Sequence, residues 1–523
     1  MTTTTKRKGR WIAVALVACL VAALCGLAGC GSSSSSADKD TLKIGELWAI
    51  DSIDPVSNGT LMKEKAMVTE VLCEVDDQFQ LQPGLATEWH NTDDTTWVFT
   101  LRPGVKFQDG TDMTADAVAW SINNSLTKNP TFQTQTNISS VEATGDNQIT
   151  IKTSVLNAEI PEYMHLSGFG IIAQSSYDAD GNLTKPIGTG PYQVDNFDVS
   201  TGVLTTTVND NYYGEKPSVK KVVITGMPDA NTRAAALESG EVDFTCDLPF
   251  NKISDLDGLS NVRVEKYDTA RVYCAYFNCA SPLFSDKNVR KATSLAIDRN
   301  SISNNVLYGC GSPSKEMYTS NMAWCDNSID GSTFDLEQAK QLMDAAGWVD
   351  TDGDGYREKN GQMAEFTLLT YTQRPGLPLI AEALQAQLKE LGIKVDVSTM
   401  DSSAIREYID DGKEYGMSLA GNATCMTPSC LYFLNNNYST KNSQRYGYSN
   451  AEFDTLLAQG LSEFDTQSRY ETSKQIQRLA MDELNMVYIC NYGVTYGFNE
   501  RVTNFKFNPT AHDYMWNVDI KVQ

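Results

Sequence analysis

Asp350, Asp352 and Asp354 have the spacing of residues that could bind a cation. They alternate with small residues in Asp-Thr-Asp-Gly-Asp-Gly, as in the first half of a calcium-binding loop. The twelfth position of such a loop should be a glutamate, and in this sequence it is Gly361. We therefore expect an acidic surface turn with no metal, and calcium binding is the alternative.

A second motif, Ser312-Pro-Ser-Lys315, has the Ser-x-x-Lys spacing of penicillin-interacting enzymes. The sequence has neither the Lys-Thr-Gly nor the Ser-Asp-Asn motif that accompanies it there. It also lacks Gly-x-Ser-x-Gly, a phosphate-binding loop and His-Glu-x-x-His. We therefore expect no catalysis and no cofactor, and a hydrolase acting through Ser312 remains the enzymatic alternative.

Residues 1–29 have the form of an export signal. Four basic residues between positions 6 and 10 precede an apolar run over 11–24, and Leu27-Ala-Gly-Cys30 follows it. This resembles a bacterial lipoprotein signal, which predicts cleavage before Cys30, lipid attachment to Cys30, and a Ser-rich tether over 30–40. The alternatives are an ordinary secretory signal and an uncleaved single-span anchor.

Nine cysteines follow Cys30, and this odd number leaves at least one thiol without a partner in the same chain. An exported protein permits disulfides. The candidate local pairs are Cys425 with Cys430 and Cys310 with Cys325. No Cys-x-x-Cys spacing indicates a zinc or redox site.

The composition excludes several classes of protein. The 523 residues suggest about three domains at roughly 150 residues each. There are 66 acidic against 42 basic residues, a net charge of −24, and the mean hydropathy is −0.32. After cleavage the 38 remaining basic residues would give −28. Nucleic-acid binding needs a basic surface, and a polytopic membrane protein needs several apolar runs of about 20 residues. We expect neither, and place the protein outside the cytoplasm.

The elements that must position any site follow from periodicity. Alternating apolar residues predict strands over 42–48 and 96–102. The second half of the chain predicts a strand over 366–371, followed by an amphipathic helix over 377–391 and a second strand over 393–397. This β–α–β order predicts an α/β fold with a parallel strand pair.

Six sequence blocks occur in a fixed order between positions 81 and 299. They are Leu81-Gln-Pro-Gly-Leu-Ala-Thr-Glu-Trp89; Trp97-Val-Phe-Thr-Leu-Arg-Pro-Gly-Val-Lys-Phe107 with Asp109-Gly110 and Ala115-Asp-Ala-Val118; Pro186-Ile-Gly-Thr-Gly-Pro-Tyr192; Asn211-Tyr-Tyr-Gly-Glu-Lys-Pro217; Ala236-Leu-Glu-Ser-Gly-Glu-Val-Asp243; and Phe277-Asn278 with Val289-Arg290 and Ala296-Ile-Asp-Arg299. The chain thereby resembles the bacterial extracellular solute-binding proteins of family 5, the peptide- and nickel-binding subunits of ABC importers.

The resemblance implies a two-lobed periplasmic-binding-protein-like α/β fold, with an extra domain inserted in the first lobe and a hinge that closes on ligand. The first lobe would comprise 41–80, 186–279 and 489–523, the inserted domain 81–185, and the second lobe 280–488. It also implies a non-enzymatic, lipid-anchored receptor, which we expect to be a monomer. That receptor would deliver oligopeptides or similar small solutes to an ABC permease. A surface sensor or adhesin with the same fold is the alternative.

The ligand contacts are predicted from position in the chain. Peptide-binding relatives often hold the ligand amine with an aspartate before a proline, but the segment before Pro428 contains Thr424 and no carboxylate. Asp51 or Asp54 could supply that anchor instead. We predict that Arg406 pairs with a ligand carboxylate and that aromatic side chains form apolar walls. The candidate ligand-binding residues are Trp48, Tyr276, Asn278, Arg406, Asn422, Thr424 and Trp516.

A nickel chelate is the alternative ligand. The nickel-binding relatives use a histidine and an arginine in the cleft. We expect His90 in a surface turn, His165 between the lobes at most, and His512 merely near the C-terminus. The segment 166–170 also lacks the arginine that those relatives would have there. The sequence therefore favours a peptide or a similar solute over nickel.

Overall fold

A ten-stranded mixed sheet forms the centre of the protein in this computed structural model, which describes residues 39–523. The predicted signal 1–29 and Cys30 lie outside the described residues. In spatial order the ten strands are Lys394–Thr399, Glu365–Thr370, Met417–Ala423, Val262–Phe277, Met486–Asn499, Phe244–Cys246, Thr41–Glu46, Lys221–Gly226, Val203–Val208 and Tyr192–Asp198. Residues Thr41–Gln523 form one compact unit.

Two long strands occupy the middle of this sheet. Val262–Phe277 and Met486–Asn499 pair antiparallel, with register shifts between Asp268 and Val272 and between Tyr273 and Cys274. The five strands from Phe244–Cys246 outward belong to what we call the first lobe, and the three beyond the other side of the long pair belong to the second lobe. The two long strands therefore connect the lobes.

The second lobe contains the predicted β–α–β unit. Glu365–Thr370 pairs in parallel with Lys394–Thr399, and the helix Gly376–Glu390 lies between them in the chain. This helix buries Leu377, Ile380, Leu384 and Leu388 on one face, with the spacing of an amphipathic helix. The α/β prediction with a parallel pair is confirmed.

A separate four-stranded antiparallel sheet lies within the predicted inserted region 81–185, whose boundaries stay a prediction. Its strands, in spatial order, are Ala86–Asp93, Thr96–Leu101, Gln148–Thr153 and Ile138–Gly145. The helix Ala115–Lys128 covers it, and the Thr114 side chain caps that helix by accepting a hydrogen bond from the amide of Ala117. Together with the helix Ile160–Tyr163 these elements have a hydrophobic core of their own. We call them the antiparallel unit.

The remaining elements are shorter strands and helices. The strands are Cys73–Val75, Leu81–Pro83, Glu358–Lys359, Gln362–Met363, Val502–Thr503 and Lys521–Val522. The other α-helices are Pro130–Thr136, Ala230–Ser239, Ile253–Asp257, Lys287–Leu295, Arg299–Ser301, Leu336–Ala345, Ser402–Asp410, Tyr432–Tyr438, Thr440–Ser443, Ala451–Leu461 and Thr466–Glu483. Leu61–Lys65 and Ile302–Val306 are π-helical, and Ser167–Phe169, Gln174–Ser176, Phe250–Lys252 and Gln444–Tyr446 are 3₁₀ turns. No helix within residues 39–523 is long and apolar enough to cross a membrane.

The predicted disulfides are not formed. All nine cysteines of the described part of the chain are free thiols. Cys310 and Cys325 belong to different hydrophobic clusters, and the Cys325 thiol donates to Glu316. The thiols of Cys425 and Cys430 donate to the Thr427 carbonyl and to Glu159, respectively. Burial raises the pKa of both of these thiols. They therefore act as small buried side chains.

Candidate ligand-binding site

Three adjoining cavities lie where the two lobes meet: cavity A is lined by the second lobe and Tyr276, cavity C by the first lobe, and cavity B by both lobes. Cavity A measures about 220 Å³, cavity B about 330 Å³ and cavity C about 180 Å³. Tyr276, Tyr371 and Asn422 line both A and B, and Trp48 and His512 line both B and C. Because the cavities share walls, we treat them as one cleft. Its residues come from both lobes.

The cleft lies where parallel strands of each lobe end. Trp48 follows the first-lobe strand Thr41–Glu46, and Arg374 follows the second-lobe strand Glu365–Thr370. Thr41–Glu46 runs parallel to both Lys221–Gly226 and Phe244–Cys246, so their carboxyl ends meet at one edge. Ligands of α/β sheets bind outside the carboxyl ends of the strands. The topology therefore places both side chains at the natural binding edge.

A group of buried charges, which we call the cleft cluster, forms the floor of this site. The Lys65 ammonium lies 2.8 Å from Glu46 Oε1 and 2.9 Å from Asp513 Oδ2. Burial alone would lower the pKa of Lys65, but the Asp513 and Glu46 carboxylates raise it above its usual value. Lys65 reaches this position from the π-helix Leu61–Lys65, a distortion that is common at functional sites. The other members of the cluster are Asp247, Arg271 and Arg374.

Arg374, a residue of the second lobe, forms ion pairs with two carboxylates of the first lobe. Its guanidinium lies 3.0 Å from Asp247 Oδ2 and also donates to Asp513 Oδ1. It lies over the rings of Trp48 and Tyr492, 5.4 and 5.3 Å from their centroids. Burial would raise the pKa of Asp513, but Arg374 and Lys65 hold it well below its usual value. The cleft cluster therefore joins the lobes through buried ion pairs.

Arg271 and His512 complete the wall of cavity B. Arg271 donates to the carbonyl of Gly421 at 2.9 Å and to the carbonyl of His512. The His512 Nδ1 atom lies 3.0 Å from the thioether sulfur of Met426. Burial lowers the pKa of His512 to about 3, although Asp513 opposes the shift, so the imidazole is neutral at physiological pH. A neutral imidazole is a metal ligand as well as a hydrogen-bonding group.

A second buried ionic group, which we call the outer clasp, joins the antiparallel unit to the second lobe. Arg469 Nη2 lies 2.9 Å from Glu162 Oε1, and Arg469 Nε lies 3.5 Å from Glu159 Oε1. Burial raises the pKa of Glu162 to about 7 and also raises that of Glu159, although Arg469 opposes both shifts. The Thr427 hydroxyl donates to the Glu162 carbonyl nearby. The antiparallel unit is thus tied to the second lobe at a point outside the cleft.

The family model of the bacterial extracellular solute-binding proteins, family 5 (middle), matches residues 80–445. The chain belongs to this family. It is 29% identical to the nickel-binding protein NikA of Staphylococcus aureus over 495 residues, which cover 94% of this chain and 96% of that protein. It is 27% identical to the oligopeptide-binding protein AppA of Bacillus subtilis, over 97% and 98% of the two chains.

A solved structure of the same S. aureus NikA, in complex with Ni(L-His)₂, aligns with a TM-score of 0.80 at 26% identity. The alignment covers 92% of this chain and 100% of that one. This family 5 protein therefore has the two-lobed α/β architecture that its sequence blocks imply, and it is a solute-binding protein of that family.

Four of the predicted ligand contacts, Trp48, Tyr276, Asn422 and Arg406, line the cleft of this family 5 protein. Trp48 donates from Nε1 to Asp513 Oδ2 at 3.1 Å. Tyr276 stacks on Tyr446 with ring centroids 4.3 Å apart, and its hydroxyl accepts from Asn422 Nδ2 at 2.6 Å. Trp48, Tyr276 and Asn422 thus stay our predicted contacts. Arg406 also lines cavity A, but its side chain is 70% exposed and lies 3.7 Å from Asp410.

The other three predicted contacts lie outside the walls of the cavities. The Trp516 indole is buried in the first-lobe core and donates to the Lys65 carbonyl at 2.8 Å. The Thr424 hydroxyl donates to the Ala270 carbonyl at 3.3 Å, and the Asn278 amide donates to the Tyr415 carbonyl at 3.0 Å. Each of these side chains donates a hydrogen bond to a backbone carbonyl. We therefore correct their assignment from ligand contacts to structural residues.

The alternative amine anchors, Asp51 and Asp54, lie outside the cleft, and so do two of the histidines. Asp54 pairs with Tyr177 and Lys128, and neither Asp51 nor Asp54 lines cavities A–C. His90 is exposed, but it lies on the strand Ala86–Asp93 instead of the expected turn. His165 is buried with Nδ1 3.2 Å from the Cys73 carbonyl, away from the cleft. We expected His512 merely near the C-terminus and outside the cleft, but it lines cavities B and C.

The two motifs that first suggested chemistry lie away from the cleft. Asp350, Asp352, Asp354 and Glu358 bring one oxygen each within 4.8 Å of one another on a largely exposed turn. Ser312 accepts a hydrogen bond from the Asn491 amide at 3.0 Å. Neither motif contributes to the walls of cavities A–C.

Sequence reasoning missed Arg271, Arg374 and His512. Arg374 lies just beyond the predicted strand 366–371, and the end of a parallel strand is a signal that could have identified it. His512 lies in the segment 489–523 that the resemblance returns to the first lobe, so that expectation already allowed it to reach the cleft.

Proposed function

We propose that this family 5 protein is the lipid-anchored, extracytoplasmic receptor of an ABC importer. It captures a small, carboxylate-bearing solute, such as a short peptide, between its lobes and delivers it to a permease. The observation that carries the proposal is the cleft at the strand ends, in which Arg271 and Arg374 both line cavity B. Guanidinium groups bind carboxylates through paired hydrogen bonds.

The size of the cleft supports a small ligand. Cavity B, the largest of the three, has a volume of about 330 Å³. Pockets for drug-sized ligands run from about 300 to 1,000 Å³. Cavities A and C extend the space along the cleft. A short peptide fits this volume better than a long one, so we expect affinity to stop rising beyond a few residues.

The test is a thermal-shift and calorimetric screen of peptides of two to six residues, each with a free and an amidated C-terminus. We expect a free short peptide to raise the melting temperature. Its amide should bind at least tenfold more weakly, because it lacks the carboxylate that we propose Arg271 and Arg374 contact. The peptide proposal fails when none of these peptides raises the melting temperature.

A nickel chelate is the second candidate solute, and the observation that favours it is the neutral His512 imidazole in cavity B beside Arg271 and Met426. Imidazole and thioether are both ligands of transition metals, and a guanidinium would hold a chelator carboxylate. Support also comes from the S. aureus NikA structure with Ni(L-His)₂.

His512→Gln and His90→Gln form a matched pair for testing this candidate. We expect His512→Gln to weaken the binding of a nickel–histidine chelate at least tenfold in calorimetry. His90→Gln should leave it unchanged, because His90 is exposed on a strand outside the cleft. Equal affinities of the two variants, or no binding of the chelate by the wild type, would reject nickel.

Anchoring and transport need cellular tests. A Cys30→Ser variant expressed in the native host should lose lipid labelling and leave the membrane fraction. Deletion of the gene should abolish uptake of the solute identified in the screen. Binding without any uptake defect would favour a surface sensor or adhesin with the same fold.

A further inference from the structure

Cavity A adjoins cavity B but is built from a different part of the chain. Apart from Tyr276, which lies on a long central strand, its walls come from the second lobe. The helix Ser402–Asp410, the strand Met417–Ala423 and the 3₁₀ turn Gln444–Tyr446 supply most of them. The two cavities share three wall residues, Tyr276 among them. A solute held in cavity B can therefore place a side group in cavity A.

The buried walls of cavity A are apolar and aromatic. Ile405 and Ile409 lie one turn apart on the same helix, are both buried, and both line the cavity. The rings of Tyr276 and Tyr446 stack at an interplanar angle of 14°. The Asn422 amide donates to the Tyr276 hydroxyl and so fixes this ring in place. Walls of this kind bind the methylene groups of a side chain by removing them from water.

The charged side chains of cavity A lie at its exposed rim, where cations outnumber anions. The charged residues that line the cavity are Arg406, Asp410 and Arg445. Arg406 lies 3.7 Å from Asp410, so these two charges compensate each other. Arg445 is exposed, and its guanidinium has no ion-pair or hydrogen-bond partner among residues 39–523. The rim therefore carries one uncompensated positive charge.

Both guanidinium groups act on the space beside Tyr446. Burial raises the pKa of Tyr446 to about 12, and Arg445 and Arg406 both oppose this shift. Cations that favour the ionised phenol oxygen would equally favour a ligand anion at the same place. The Tyr446 hydroxyl has no hydrogen-bond partner in the described part of the chain, so it can donate to that anion.

We propose that cavity A is the subsite for an acidic side group of the cleft solute. The methylene stem of this group packs against Ile405 and Ile409, and its carboxylate meets Arg445 and Arg406 at the rim. This inference rests on the proposed function, because the rest of the solute must lie in cavity B. It narrows the substrate class to solutes with two anionic groups, such as a short peptide that contains glutamate.

The experiment compares isosteric peptides by calorimetry on the mature protein. The probes are the dipeptides Ala-Glu and Glu-Ala, each with its glutamine and lysine counterpart. In at least one of the two positions, glutamate should bind about three- to fivefold more tightly than glutamine, which is the range for a solvent-exposed ion pair. Lysine should bind most weakly, because it adds a cation to a positive rim. Equal affinity for glutamate and glutamine in both positions would overturn the subsite.

Two variants with opposite expected effects locate the charge. Arg445→Met should lower the affinity for the glutamate peptide to that of the glutamine peptide, which itself should not change. Asp410→Asn removes the one carboxylate among the described residues that line cavity A, so it should strengthen glutamate binding. Lys389→Met removes an exposed cation outside cavities A–C and is the control without effect. An equal loss of both peptides in Arg445→Met, or weaker glutamate binding in Asp410→Asn, would refute the assignment.

N-acetylglutamate and N-acetylglutamine separate the subsite from the peptide proposal, because neither has a free amine and only the first has two carboxylates. If no peptide binds but N-acetylglutamate binds more tightly than N-acetylglutamine, the peptide proposal fails and the subsite stands. If peptides bind without any preference for glutamate, the subsite fails and the peptide proposal stands. If none of these probes binds, both are rejected.

Discussion

The cleft cluster joins the two lobes and the outer clasp joins the antiparallel unit to the second lobe, both through buried charges, but the two differ in charge balance. In the cleft cluster, the basic Lys65, Arg271 and Arg374 meet the acidic Glu46, Asp247 and Asp513. In the outer clasp, one guanidinium meets two carboxylates. Accordingly the pKa of Asp513 is held well below its usual value, whereas burial raises that of Glu162 to about 7.

The difference shows that burial by itself does not decide protonation. Asp513 and Glu162 are both buried carboxylates, and the number of nearby cations sets the direction of each pKa shift. In the balanced cluster, the lowered pKa keeps Asp513 ionised at physiological pH. The unbalanced clasp gains or loses a proton near neutral pH, so we expect the contact between the antiparallel unit and the second lobe to depend on pH.

The largest effect should come from removing the cation that bridges the lobes in the cleft. Arg374→Met would leave Asp247 without the guanidinium that it faces and would weaken the compensation of Asp513. Breaking a buried ion pair in this way costs about 3–5 kcal/mol. We expect that loss in the free energy of unfolding, measured by denaturant titration at pH 7.5.

Arg406→Met is the matched control for this experiment. The Arg406 side chain is 70% exposed and pairs only with Asp410 among the described residues. Its substitution should change the free energy of unfolding by less than about 0.5 kcal/mol. Similar losses for the two variants would contradict a stabilising role of the bridge.

Replacing the arginine of the outer clasp by methionine should lower the free energy of unfolding by less than Arg374→Met does. The loss should also depend on pH. Arg469→Met leaves Glu159 and Glu162 facing each other without a cation, and we expect a loss of about 2–3 kcal/mol at pH 8. At pH 5.5 the loss should fall by at least half, because protonation removes the repulsion. The loss in Arg374→Met should change little over this range. Parallel denaturant titrations at both pH values measure the contrast.

The smallest expected effect is on the pH dependence of stability, and it comes from protonation of Glu162 in the outer clasp. The pKa of Glu162 is raised from 4.5 to about 7, so its contribution to stability is fully present below 4.5 and is lost as the pH rises through 7. Glu162→Gln should therefore flatten the decline of stability between pH 5 and 8 by about 1–3 kcal/mol. Glu390→Gln should keep the wild-type slope. An unchanged slope in Glu162→Gln would refute the assignment of this proton.

The fold could be predicted to a large extent from the sequence. The β–α–β unit around the helix Gly376–Glu390 was evident because periodic apolar residues specify an amphipathic helix between two buried strands. The six sequence blocks placed the chain in family 5. Trp48, Tyr276 and Asn422 were found as cleft residues because they follow or lie on strands of the sheet. Local periodicity carries this information, since it indicates which face of a helix or strand is buried.

Other parts of the site could not be predicted in this way. Trp516 and Thr424 were misassigned, because the sequence does not reveal whether a polar or aromatic side chain faces a cavity or a neighbouring carbonyl. The disulfide pairs failed for a related reason, since nearness in the chain did not bring Cys310 and Cys325 into the same core.

The sequence by itself determined an acidic, α/β, solute-binding chain, because composition and local pattern are properties of neighbouring residues. Only the tertiary structure decided the charge balance at the two lobe contacts. Asp513 meets Lys65 and Arg374 across separations of 448 and 139 residues. Glu162 meets Arg469 across 307. Protonation depends on distances in space, which chain spacing does not encode.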